Sequence, residues 1–151
     1  AFSLQTRLDL LEFEDQAPGQ HAKAGALLLT PFPKLAAAAR IIRWHHLPWR
    51  HGAGAVEDGE PVPEASHLVH LADRIAVLID RSRPALAQVE GIVARILPQA
   101  GGVFVPTHTD AFAALAPKDY LWLEATSPRL DRILRAETHD ASPPLDVEQV
   151  L

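Results

Sequence analysis

The 151-residue sequence predicts an all-α chain folded as a single helical bundle. Apolar residues recur at three- and four-residue spacing along most of its length, which lines one face of an α-helix. No stretch of useful length alternates apolar and polar residues as a half-buried strand would. Clusters of proline and glycine separate the periodic stretches and mark where one helix stops and another begins.

Leu4, Leu8 and Leu11 define the apolar face of a first helix. A second runs from about Gly19 to Leu29 and ends at TPFP, whose prolines cannot continue it. A third, rich in alanine and carrying Ile41 and Ile42, covers Lys34 to about His46. It stops at LPW, because the residue before Pro48 is pushed out of helical geometry. HGAGAVEDGEPVP, residues 51–63, reads as a loop. Pro63 then opens the strongest helix of the chain, EASHLVHLADRIAVLIDR, and PALAQVEGIVARIL forms the next. After a break at PQAGG come shorter helices around Thr109 to Leu115, Lys118 to Ala125 and Pro128 to Ala136. The helical domain is expected over residues 1–137, with residues 138–151, including SPP at 142–144, as a loosely held tail.

Composition narrows the function. Apolar residues make up 48% of the chain, which excludes a disordered polymer. A formal net charge of -5 provides no basic footprint, so nucleic acid is not an expected partner. The longest apolar runs, GALLL and IAVLI, are too short to span a bilayer, and no signal peptide is recognised. A cytoplasmic location is the expectation. With no cysteine, disulfides and zinc–thiolate sites are excluded, and a metal would be held by imidazole and carboxylate, ligands that suit iron, manganese or zinc. The chain has no methionine and opens on AFSLQ, so it is expected to be a portion of something longer.

The histidines carry the chemistry. RWHHLPWRHGAG, residues 43–54, holds His45, His46 and His51, three of the chain's eight histidines. His21 sits in GQHAKAG, with Gly25 one turn later, where a small residue lets another element approach. Adjacent helical residues diverge by about 100°. His45 and His46 would therefore serve two neighbouring ions, or one ion and its bound substrate. In SHLVHLAD, His67, His70 and Asp73 recur every third residue and form one polar ridge. That ridge either faces solvent or turns inward. If inward, Asp73 needs a compensating charge, supplied by Arg74, by Arg40 or by a metal.

Taken in order, the motifs H-x-x-x-G, HH at a helix end, a glycine-rich loop, VP and a helix containing LADRIAVL resemble the HD-GYP branch of the HD-domain phosphohydrolases. GGVFVPTHTDAF is similar to that family's later G-T-x-F-D-P-x-x-x-x-A-F segment. The resemblance runs from about His21 to Phe112 and implies an HD-type helical bundle. By position, it implies that His21, His45, His46 and Asp73 are metal ligands, with His70 a further ligand or a group holding one. Arg50, His51 and His67 become candidate phosphate contacts. The implied cofactors are divalent ions, iron or manganese, in a dinuclear cluster where the family's HD pair is present. The implied function is a metal-dependent phosphodiesterase acting on a nucleotide or on a cyclic dinucleotide such as cyclic di-GMP. The implied setting is a signalling protein with fused domains or a homo-oligomer.

Several positions depart from the family pattern. Leu47 stands where the family has the glutamate of HHE, HGAGA stands in place of the GYP loop, His67 replaces an arginine, and Ala76 replaces an aspartate. The single HD dipeptide, His139-Asp140, follows the motif series, so the family's pair is expected upstream of Ala1. These departures support an alternative from another class, a degenerate non-catalytic regulatory module that keeps the fold. A third reading is an unrelated helical adaptor with incidental histidines.

Overall fold

A computed structural model describes residues 19–130 together with 132, 134 and 135. The fold is all-α. Among the described residues the helices are α1 (Gln20–Leu29), α2 (Ala36–Arg43), α3 (Glu64–Leu78), α4 (Val89–Ile96), α5 (Pro106–Leu115) and α6 (Asp119–Ala125). The region read as a loop contains a two-residue antiparallel ribbon, β1 (Val56–Glu57) and β2 (Glu60–Pro61). Asp58 and Gly59 join its strands with φ of 54° and 78°. An Asp-Gly pair tolerates those angles, and tight hairpins need them. The helix expected at Leu4, Leu8 and Leu11 and the tail from 138 lie outside the described residues, as does part of the helix expected at Pro128 to Ala136. No described helix is long and apolar enough to cross a membrane.

The chain divides into two compact units. One takes in the residues up to Ala72 together with Gly101–Val105, the other Asp73–Ala100 and the residues from Pro106.

In the first unit α1 packs on α2. Ala22, Ala26 and Ala39 are buried, and a Cβ placed on Gly25 would lie 3.2 Å from the Ile42 side chain. Small residues therefore bring the two helices close. The third helix is shorter than its alanine run predicts: α2 ends at Arg43, and residues 44–46 form a turn. Trp44 is responsible. Its ring is buried while Arg43 stacks over it at 4.4 Å, and the chain bends to allow both.

Residues 49–54 form a tightly constrained turn. Arg50, His51 and Gly52 adopt φ of 50°, 54° and 98° in succession. Left-handed backbone costs an ordinary residue about 1–2 kcal/mol. Here the backbone N–H groups of Trp49, Arg50 and His51 offset that cost by donating to the carbonyls of Val103, Gly102 and Gly101 at 2.9, 2.7 and 2.7 Å. The sequence does not announce this turn, since positive φ is ordinarily flagged by glycine or asparagine. The N-terminal half of α3 closes the unit. Ser66, His67, His70 and Leu71 are buried, and the Ser66 hydroxyl donates to the Ile41 carbonyl at 3.0 Å. The histidine ridge thus turns inward at His67 and His70.

In the second unit Ile92, Ile96, Phe112, Ala116 and Trp122 are buried. The Trp122 indole donates to the Ala116 carbonyl at 2.7 Å, which removes the cost of enclosing its N–H. Buried Gln88 organises the loop between α3 and α4. Its amide oxygen accepts from the Asp80 N–H at 2.9 Å, and its nitrogen donates to the carbonyls of Asp80, Arg83 and Pro84 at 2.9, 3.2 and 3.3 Å. Within that loop the Ser82 hydroxyl and backbone N–H, helped by the Arg83 charge, hold the Asp80 carboxyl below its ordinary pKa.

Candidate metal centre

Three imidazoles from two helix ends meet in the first unit. His21 lies at the start of α1, and His45 and His46 lie on the turn after α2. Because His45 and His46 sit on a turn rather than on a regular helix, the 100° divergence does not apply. Both rings face His21. The Nε2 atoms of His21 and His45 are 3.4 Å apart, and those of His21 and His46 are 2.8 Å apart. Ring centroids fall 4.0–5.3 Å from one another.

The His45 Nδ1–H donates to the Ile42 carbonyl at 2.6 Å. In a neutral ring this fixes the tautomer and leaves a lone pair on Nε2. A single proton on His21 could satisfy one neighbour at a time, whereas a cation takes the lone pairs of all three. Nitrogens bound to one ion at about 2.1 Å sit roughly 3.0–3.4 Å apart for octahedral to tetrahedral angles. The 3.4 Å spacing lies at the upper end of that range and the 2.8 Å spacing just below it, so small ring shifts would let the three nitrogens share a divalent ion. Among the described residues these three are the group whose ligand atoms all lie within 4.8 Å of one another, and each is half-buried. A partly open set of three imidazoles leaves coordination positions for water or substrate.

Residues 6–78 match the HD domain family. HD domains bind divalent metals, and the family points to metal-dependent phosphohydrolases in general. The chain matches no curated protein and no solved structure.

The remaining candidate residues divide by position. His70 is 6% exposed and lies between rings, 5.8 Å from His46 and 5.3 Å from Phe104, centroid to centroid. It packs beside His46 and is not one of the three residues whose ligand atoms converge. His67 is 3% exposed, packs edge-on against Trp49, and its Nε2 donates to the Gly54 carbonyl at 3.1 Å. That bond ties the start of α3 to the 49–54 turn. Arg50 and His51 are exposed on that turn, with Arg50 paired to Glu57 at 3.2 Å. Asp73 accepts from Arg74 at 2.5 and 3.0 Å, the ion-pair alternative that its mid-helix position allowed. Arg40 instead donates to the Pro61 carbonyl. Leu47 is buried, so the family's glutamate position belongs here to the core. Phe104 and the Ile42 carbonyl escape sequence reasoning, because nothing in the sequence ties them to the histidines they touch.

Gly25 sets the reach of His21 toward the other two. Gly25→Leu is expected to force α1 off Ile42, lower stability by about 1–3 kcal/mol through overpacking, and weaken metal binding. Urea unfolding and metal titration of the same variant check both effects. Unchanged metal affinity would show that the spacing of α1 and α2 does not position the site.

Proposed function

We propose that this HD domain is the metal-binding part of a divergent HD-GYP-type phosphodiesterase acting on a cyclic dinucleotide or related nucleotide. The convergence of the Nε2 atoms of His21, His45 and His46 carries the reading. These residues hold the ion, and the Ile42 carbonyl and His70 keep their rings in place. Iron or manganese suits an all-nitrogen and oxygen donor set. When bound, such an ion lowers the pKa of a water and polarises phosphoryl oxygens. Arg50 and His51, exposed on a rigid turn, are the groups we assign to the phosphate oxygens. The Arg50 guanidinium would exchange Glu57 for the substrate.

The second reading is a non-catalytic regulatory module. Its support is the buried Leu47 and the engagement of Asp73 by Arg74. Protein purified without chelator, analysed for metal and assayed with manganese on cyclic di-GMP and on bis(p-nitrophenyl) phosphate, separates the readings. We expect weak binding of a single ion and slow, metal-dependent hydrolysis. Metal without hydrolysis favours the module, and failure to bind any metal at millimolar manganese removes the site. Asp73→Ala belongs in the same experiment: retained metal assigns Asp73 to its ion pair, and lost metal assigns it to the ligand set that the family resemblance implies.

A further inference from the structure

The second unit has a pocket of about 220 Å³ whose polar walls are Asp80, Arg83, Gln88 and Arg95 and whose floor includes Gly91 and Ile92. We infer that this pocket is a binding site for a small phosphate monoester, separate in chemistry from the histidine metal centre.

Arg83 and Arg95 line the pocket with exposed side chains, and buried Gln88 orders the loop between them. Arg83 is carried by the loop that Gln88 ties down through four hydrogen bonds, so its backbone is fixed before any ligand arrives. Arg95 projects from α4 one turn after Gly91, on the same face. Neither guanidinium has a hydrogen bond or ion pair among the described residues, although Asp80 is nearby. The Asp80 carboxylate, which feels the Arg83 charge, is hydrogen-bonded to Ser82, whose backbone N–H and hydroxyl reach its Oδ1 at 2.9 and 2.6 Å. Two positive charges therefore face one negative charge that is already engaged.

Gly91 is the second observation. Glycine inside a helix costs about 1 kcal/mol relative to alanine. Packing does not require it here, since a Cβ at Gly91 would meet nothing within 4 Å. The missing side chain is what keeps the pocket open. Guanidinium forks match the oxygens of phosphate and carboxylate in pairs. A phosphate has enough oxygens for both forks, and the pocket's small volume suits enclosing a phosphate group with a short ester arm reaching toward solvent.

The test is calorimetric titration of the full chain, stripped of metal with chelator, in low salt. The probes are inorganic phosphate, glycerol 3-phosphate and malonate. Stripping the metal separates this site from the histidine centre, so either can fail alone. We expect glycerol 3-phosphate to bind in preference to malonate, with Arg83→Ala and Arg95→Ala each weakening it about tenfold or more. Gly91→Leu should abolish binding while leaving thermal stability undiminished, because it fills the pocket without removing charge. Tighter binding of glycerol 3-phosphate than of inorganic phosphate identifies an organic ligand, and the reverse order makes free phosphate the ligand and overturns the ester. Preference for malonate, equal binding by all variants, or no binding by either phosphate at 10 mM (about the weakest affinity worth assigning) also overturns the inference.

Discussion

Gly54→Ala is expected to cost the first unit about 3 kcal/mol or more. A Cβ at residue 54 would lie 2.3 Å from the Pro48 carbonyl oxygen, 2.9 Å from that of Trp49 and 3.0 Å from the Trp49 Cα. All three are backbone atoms, so no rotamer change relieves the overlap. The turn must open. Opening it breaks the Gly54 N–H bond to the Trp49 carbonyl at 2.8 Å and pulls the Gly54 carbonyl from His67. A lost buried bond that leaves an imidazole unsatisfied costs about 1–3 kcal/mol, and the displaced left-handed residues add to it. Gly59→Ala is the control. Gly59 has φ of 78° but open space around it, so it should lose only about 1 kcal/mol. Denaturant unfolding of both variants decides the matter, and equal losses would mean that the 49–54 turn is not held by its close approach to Pro48.

Replacing any one histidine of the converging trio is the second large effect. His21→Ala, His45→Ala and His46→Ala should each weaken metal binding by more than about a hundredfold, the upper end of what loss of a supporting group alone does. Their metal-free stability should change little, because the rings are half-buried and face a solvent-accessible centre. His70→Ala should behave in the opposite way. It empties a buried space between His46 and Phe104, so stability falls while metal affinity falls less. Competition with a coloured chelator gives the affinities, and thermal melts without metal give the stabilities. If His70→Ala loses more metal affinity than the three others, the roles are reversed and His70 is a ligand.

The convergence of His21, His45 and His46 was legible through the ordered motifs of the family resemblance, whereas helix geometry alone sent His45 and His46 in different directions, because it did not foresee the turn at residues 44–46. The same geometry placed α1, and it missed the end of α2 because it could not see Trp44 burying itself. The inward turn of His67 and His70 was half legible. Their spacing put them on one face, but which way that face points depends on what packs there, and Trp49 and Phe104 are remote in sequence. Asp73 keeps both readings that its position allowed: its place in LADRIAVL matches a ligand, and its carboxylate lies against the arginine next to it. The left-handed residues Arg50 and His51 gave no compositional sign, because bonds to Gly101–Val103 sustain them rather than any intrinsic preference. Gln88 was silent for the same reason: a glutamine reads as surface until its amide is seen holding a loop.

The partnership of residues 49–51 with residues 101–103 bears on how the protein is made. A ribosome releases the chain from the N-terminus, at roughly 5–20 residues per second. The unit that holds the histidines borrows Gly101–Val105 from the far side of the segment Asp73–Ala100. Its strained turn therefore has no acceptors when Leu78, the last residue of the family match, has emerged. Until Val103 follows, three backbone N–H groups must be served by water, and His70 lacks the ring of Phe104. Closing a loop of that length adds entropy only slowly with distance, so the delay is one of timing more than of energy. The nascent histidine unit stays open for about one to five seconds of synthesis, an interval in which a metal, a chaperone or a protease can reach it first.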